Sequence, residues 1–232
     1  MDIAEQAYIF STVNLTQTKV NRSLAYDLFD LAKVPSPQKL CHNVAVALDR
    51  DEKSPFYEKI KRLGVATPGR FNEMITQATF VQALMKYISK TEMQDRNVYM
   101  LGKVPKKAEA AELQTLIFRN MMIEGRDTDI GRVVFNYFDA VRKRWPSAWS
   151  ATGRGNMLNK TNGFKGLMRF LRDAYLHLTG PGVVPPRKDF ERIFARVNLR
   201  DEDFTTERFP PGTSGEVKLY NAFCEILDVE RK

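Results

Sequence analysis

Only two cysteines occur in 232 residues, Cys41 and Cys224, far apart and each inside an apolar helical pattern. That argues against a disulfide framework and for free thiols in a reducing cytoplasm. The two histidines, His42 and His177, and the absence of any Cys-x-x-Cys or His-x-x-x-His spacing leave no metal-ligand set in the sequence. Cys41 and His42 are adjacent, which on a helix turns them about 100° apart, too far round for a thiolate–imidazole pair. Neither a Gly-x-Ser-x-Gly elbow nor a Gly-x-x-x-x-Gly-Lys-Ser/Thr loop is present, and no carboxylate pair stands in an apolar setting. No uncharged apolar run approaches the roughly 18 residues of a membrane span, and the start of the chain lacks the basic and apolar regions of a signal peptide. The sequence therefore points to a cytoplasmic protein with no cofactor and no membrane partner, and leans away from catalysis by this chain alone.

What is present is the composition of a folded protein: 43% hydrophobic and 28% charged residues, with 15 Phe and 8 Tyr. That length makes one large domain or two small ones without a stabilising metal or disulfide. Apolar periodicity predicts a mainly α, multi-helical fold with one small β-hairpin. Asp2 and Glu5 form a capping-box pair for a helix over 3–13, and Leu24 to Leu31 resumes helical spacing after a polar loop. Ser36-Pro37 opens a third helix through Leu48, and Ser54-Pro55 repeats the device for a short fourth one. The hairpin is expected from 63–66 and 71–75, flanking the Pro68-Gly69 turn. Thr76 or Thr79 opens the next helix, 90–107 reads as irregular, and 108–123 reads as strongly helical. Further helices are expected over 130–145, 164–178, 190–197 and 215–227, and the irregular stretch suggests two subdomains, 1–100 and 101–232.

The net charge of +8 is concentrated. Arg142, Lys143, Arg144, Arg154, Lys160, Lys165, Arg169 and Arg172 follow one another with no acid until Asp173, so this window equals the whole excess. Such a field attracts nucleic acid through phosphate contacts of low sequence specificity, or else is a solvated face. Arg142, Lys143 and Arg144 also end a helix headed by Asp127 and Asp129, where the helix dipole favours cations and no ligand is needed. The Gly153–Gly163 loop has the composition to present N–H groups and cations to a phosphate, or is a plain connector. Trp145 and Trp149, beside these arginines, serve either as base-stacking rings or, more simply, as core anchors. An enzymatic reading requires the Asn14–Lys19 and Arg154–Lys160 loops to work together.

The string Ile9-Phe10-Ser11-Thr12-Val13-Asn14-Leu15-Thr16-Gln17-Thr18-Lys19-Val20-Asn21 resembles the "IFSTIN-x-[ST]-Q-x-KV" segment of DGQHR-domain proteins of the ParB-like superfamily, which include those of the Dnd phosphorothioation operons. The likeness continues through Tyr26-Asp27-Leu28-Phe29, Ser54-Pro55-Phe56-Tyr57 and Thr76-Gln77-Ala78-Thr79-Phe80, and more weakly through Asn159-Lys160-Thr161-Asn162-Gly163-Phe164. The Asp-Gly-Gln-His-Arg string itself is absent, and the resemblance implies that it would precede Met1. It further implies a fold that becomes α+β if a remnant of the ParB-like core persists. It implies a place in bacterial DNA modification or phage defence, and pocket-facing roles for Asn14, Thr16, Gln17 and Lys19. A separate DGQHR-core polypeptide, or self-association, would then complete the core.

Overall fold

The computed structural model describes residues 2–16, 21–28 and 33–228. It is mainly helical: the described residues hold twelve helices and one two-stranded sheet. They divide into two compact units, Met1–Gly131 and Arg132–Lys232. The irregular stretch expected to join two subdomains thus lies inside the first unit, and the division falls within a helix instead.

The first unit contains α1 (Ile3–Thr16), α2 (Arg22–Asp27), α3 (Pro37–Arg50), β1 (Ile60–Lys61), β2 (Ile75–Thr76), α4 (Gln77–Met85), α5 (Glu92–Met100), α6 (Ala110–Leu113), α7 (Arg119–Ile123) and the start of α8 (Asp127–Arg144). The expected caps form. Asp2 and Glu5 exchange backbone-to-carboxylate bonds at 2.9 and 2.8 Å, and the Ser36 and Thr76 hydroxyls accept from Lys39 N and Thr79 N. Helix α3 buries Leu40, Cys41, Val44, Ala45 and Leu48 and packs chiefly on α4. His42 is a core histidine: its Nδ1 meets Gln77 Nε2 at 3.0 Å, Gln77 Oε1 takes Arg62 Nε at 3.0 Å, and Arg62 pairs with Asp27 at 2.9 Å.

Several local expectations give way to tertiary bonds. The Thr67–Arg70 turn closes, with Arg70 N donating to Thr67 O at 3.0 Å and Gly69 at φ +82°, but no hairpin flanks it. The strands are instead parallel, pairing Ile60 with Ile75 and Lys61 with Thr76. Side chains fix the loop between them: Glu73 accepts from Thr67 N at 2.8 Å and Arg70 reaches the fully buried Asp49 at 2.8 Å. Leu63, Val65 and Phe71, the apolar residues of the expected hairpin, are exposed, Phe71 by 93%, so cross-strand pairing would have buried nothing there.

Ser54-Pro55 opens turns rather than a helix. The Ser54 hydroxyl accepts from Phe56 N, while Glu58 takes a left-handed φ of +53° and donates its N–H to Asp49 O, at the end of α3. The helix expected over 108–123 splits into α6 and α7 because Phe118 N donates to Tyr87 O at 3.0 Å, a bond incompatible with a continuous ladder. Helix α5, in the stretch read as irregular, is anchored by Asp95, whose carboxylate forms a buried bidentate pair with Arg119 of α7.

The second unit holds the rest of α8, α9 (Pro146–Ser150), α10 (Thr161–Leu178), α11 (Arg187–Ala195), a 3-10 turn at Asp201–Asp203 and α12 (Thr213–Asp228). Its core is aromatic. Trp145 lies 5.4, 5.1 and 5.7 Å from the rings of Phe194, Phe204 and Phe223, and Phe138 stacks on Phe164 at 5.5 Å. The polar tips are satisfied, since Trp145 Nε1 donates to Leu199 O and Tyr137 Oη to Leu167 O, at 2.8 and 2.7 Å. Helix α10 packs along α12, with Gly166 facing Leu219 and the Glu216 carbonyl, where a Cβ would meet atoms at 3.0 and 3.2 Å.

Candidate nucleic-acid interface

The eight cations of the basic window have different fates, all within the second unit. Arg142 pairs with Asp139, which Arg187 also reaches at 2.8 Å. Lys143 pairs with Glu191 at 3.0 Å, and hydrogen bonding from Lys143, with the charge of Arg187 added, holds the Glu191 carboxyl below its usual range. Arg144 is structural: its guanidinium donates to the carbonyls of Phe194, Val197 and Leu199 at 3.2 to 3.3 Å, and lies over the Trp145 ring. Arg172 binds Asp173 at 2.8 Å. These four are the helix-end and framework cations that the dipole argument anticipated in part.

Arg154, Lys160, Lys165 and Arg169 form no ion pair among the described residues. Arg154, Lys165 and Arg169 are exposed and Lys160 is half-buried. Thr161, Lys165 and Arg169 recur every four residues, so they line one exposed stripe of α10 that begins beside Lys160. Arg169 is steadied without being neutralised, its guanidinium 4.3 Å from the Tyr220 ring centre. Tyr220 in turn donates to Asp173 Oδ2 at 2.7 Å, and burial with its Cys224 and Asp173 neighbours raises its pKa, so the platform stays neutral. Nothing local in the sequence marks Tyr220, because it reaches Arg169 only through the packing of α12 on α10.

The glycine-rich loop that presents Arg154 is fixed by its asparagines. Asn156 Nδ2 donates to Ala148 O at 3.0 Å and to Asn159 Oδ1 at 2.8 Å, and Asn159 Nδ2 to the carbonyls of Trp149 and Ala151 at 3.0 and 2.6 Å. Met157 N and Thr206 N add backbone bonds to Phe204 O and Gly155 O. Gly163 is required for contact rather than for a phosphate: a Cβ there would overlap the carbonyl oxygens of Met157 and Leu158. Both tryptophans are buried, Trp145 at 0% and Trp149 at 1% exposure, so neither offers a ring face to a base.

The second expected site cannot be built in the same way. Asn14 and Thr16 belong to the last turns of α1, which runs past the expected end at 13; their side chains, and Gln17 and Lys19 altogether, lie outside the described residues. Among the described residues, no helix is long and apolar enough to cross a membrane. No protein-family model, curated protein or solved structure matches this chain, so the likeness to DGQHR proteins rests on the quoted residue strings alone.

Proposed function

We propose that the second unit binds nucleic acid through Arg154, Lys160, Lys165 and Arg169, and that the chain serves as an accessory or regulatory module of a bacterial DNA-modification or phage-defence system. The observation that supports this reading is selective neutralisation: four of the eight clustered cations are consumed by Asp139, Glu191, Asp173 and backbone carbonyls, while the other four form no ion pair among the described residues and lie on one loop and one helix stripe. With both tryptophans inside, the contacts would be to phosphates, and sequence preference would be slight. Four phosphate contacts give a log–log salt slope of about −3.6, so affinity for duplex DNA should fall about a hundredfold between about 50 and 200 mM salt. Fluorescence anisotropy reads this directly. Replacing Lys165 and Arg169 with Ala should flatten the slope by about 2, whereas Lys143→Ala should leave it unchanged. Undetectable or salt-independent binding would overturn the reading.

A second reading is favoured by one feature of the first unit. Helix α1 exposes Ile3, Ile9 and Phe10 by 74%, 48% and 49%, an apolar surface that suits a non-catalytic interaction protein completed by a separate DGQHR-core polypeptide or by self-association. Co-purification with such a polypeptide, or a concentration-dependent dimer in light scattering, would support it; a strict monomer that ignores the core polypeptide would remove it.

A further inference from the structure

Arg96 of α5, in the first unit, is 2% exposed, yet its Nε and Nη1 have no hydrogen-bond partner among the described residues. The adjacent Asp95 carboxylate is taken by Arg119 and Ser89. Glu92, one turn earlier on the same face of α5, accepts nothing from Nε or Nη1. The Tyr8 ring of α1 lies against the guanidinium, 5.2 Å from its central carbon. A ring over the guanidinium face leaves the N–H bonds, which lie in its plane, available to an acceptor.

Gln38 of α3 is 1% exposed and has neither amide atom bonded among the described residues, Nε2 being without an acceptor and Oε1 without a donor. Helices α3 and α5 pack together and run in opposite directions: Cys41 feels the charge of Glu92, while Ser36 and Lys39 share a pocket wall with Tyr99. Arg96 follows Glu92 by four residues and Gln38 precedes Cys41 by three, so each lies on the face that its helical neighbour defines. The antiparallel packing brings the two to the same level.

Interior polar groups without partners are costly, and a charge most of all. The orphan set here is one guanidinium charge, several N–H donors and one amide oxygen. One positive charge is balanced by one negative charge, whereas a dianion would bury an excess. A carboxylate also matches the planar guanidinium. The Gln38 oxygen requires a donor, which an ionised carboxylate lacks.

We infer that Arg96 and Gln38 form a binding site for a small 2-hydroxycarboxylate. Its carboxylate accepts from Arg96 and from Gln38 Nε2, and its hydroxyl donates to Gln38 Oε1. The inference is independent of nucleic-acid binding, which concerns the other unit.

Isothermal titration of the full chain with glycolate, acetate and sulfate at constant ionic strength tests the proposal. Glycolate and acetate carry the same charge, so general attraction to a basic protein cancels between them. Glycolate should bind about tenfold more tightly than acetate, and sulfate more weakly than glycolate. Gln38→Leu should remove the advantage of glycolate while acetate still binds. Arg96→Met should abolish binding of both acids, and it should fold, because it deletes a buried charge without orphaning a bonded partner. The idea is overturned if glycolate does not bind at millimolar concentration, if it binds no better than acetate or sulfate, or if its binding survives Arg96→Met. The comparison of the three anions on the unaltered protein decides the matter even where a variant folds poorly.

Discussion

The two units are both helical, yet different forces organise their interiors. In the first, loops and short helices are tied by polar side chains: Asp49 holds Arg70 and the Ile60 N–H, Asp95 holds Arg119, and His42, Gln77, Arg62 and Asp27 form a chain. In the second, rings interlock around Trp145 and Phe138, and most ion pairs sit on the outside. A buried ion pair contributes little net stability but is costly to break on one side, while an aromatic core contributes directly through area removed from water. The first unit should therefore be sensitive to single charge deletions, and the second to loss of ring volume.

The largest expected effect is in the second unit. Trp145→Ala would empty the space between Phe194, Phe204 and Phe223 and leave Leu199 O with the longer Arg144 bond alone, lowering stability by about 3–5 kcal/mol. Urea unfolding followed by fluorescence checks it, because Trp149, the remaining tryptophan, lies in the same unit. A loss below about 1 kcal/mol, within the range of surface substitutions, would refute the aromatic account.

Arg119→Met tests the other half of the comparison. It leaves Asp95 buried opposite an apolar group and frees the Lys106 carbonyl, at a cost of about 3 kcal/mol. Asp95→Asn with Arg119→Met should recover part of that loss, since no net charge then remains buried. Hydrogen exchange of the α5 and α7 amides reads both variants, and an unrecovered double variant would show that geometry, not charge, is what Arg119 supplies.

How far these features could be read in advance follows from the range of the forces involved. Caps at Asp2, Ser36 and Thr76 are legible because donor and acceptor lie within three residues. The long helices α8 and α10 are legible because one apolar face repeats over five turns. Helix α5 was hidden because its fastening residue, Arg119, is 24 positions away in another element. The parallel strands were hidden because Asp49 and Glu73, not alternating apolar residues, fix their loop. The same limit applies to the candidate interface: the basic window is visible in sequence, but Glu191, which removes Lys143 from it, is 48 residues distant.

A smaller effect should follow at the interface itself. Gly163→Ala would press a methyl group onto the Met157 and Leu158 carbonyls and displace the start of α10 from the asparagine-locked loop, costing about 1–3 kcal/mol. Under the phosphate-contact reading it should also weaken DNA binding, since Arg154 and Lys160 stand on one side of that junction and Lys165 on the other. A variant that is destabilised but binds DNA normally would mean that the loop and helix need no fixed relation.

The smallest effect concerns Asp127, in the polar first unit. Burial sets its folded pKa above 3.8, whereas most of the unit's carboxylates are bonded to cations or N–H groups. An acid whose pKa rises on folding opposes folding at neutral pH, where it is charged. As pH falls through the folded value toward 3.8, the folded state takes up the proton first and that opposition disappears. The stability of the unaltered protein should therefore gain on that of Asp127→Asn as pH is lowered through this window, by a modest amount because the group is only half-buried and α8 begins at it. Paired urea titrations of the two proteins across the window measure the difference. An equal pH dependence of the two proteins across the window would mean that folding does not raise the Asp127 pKa.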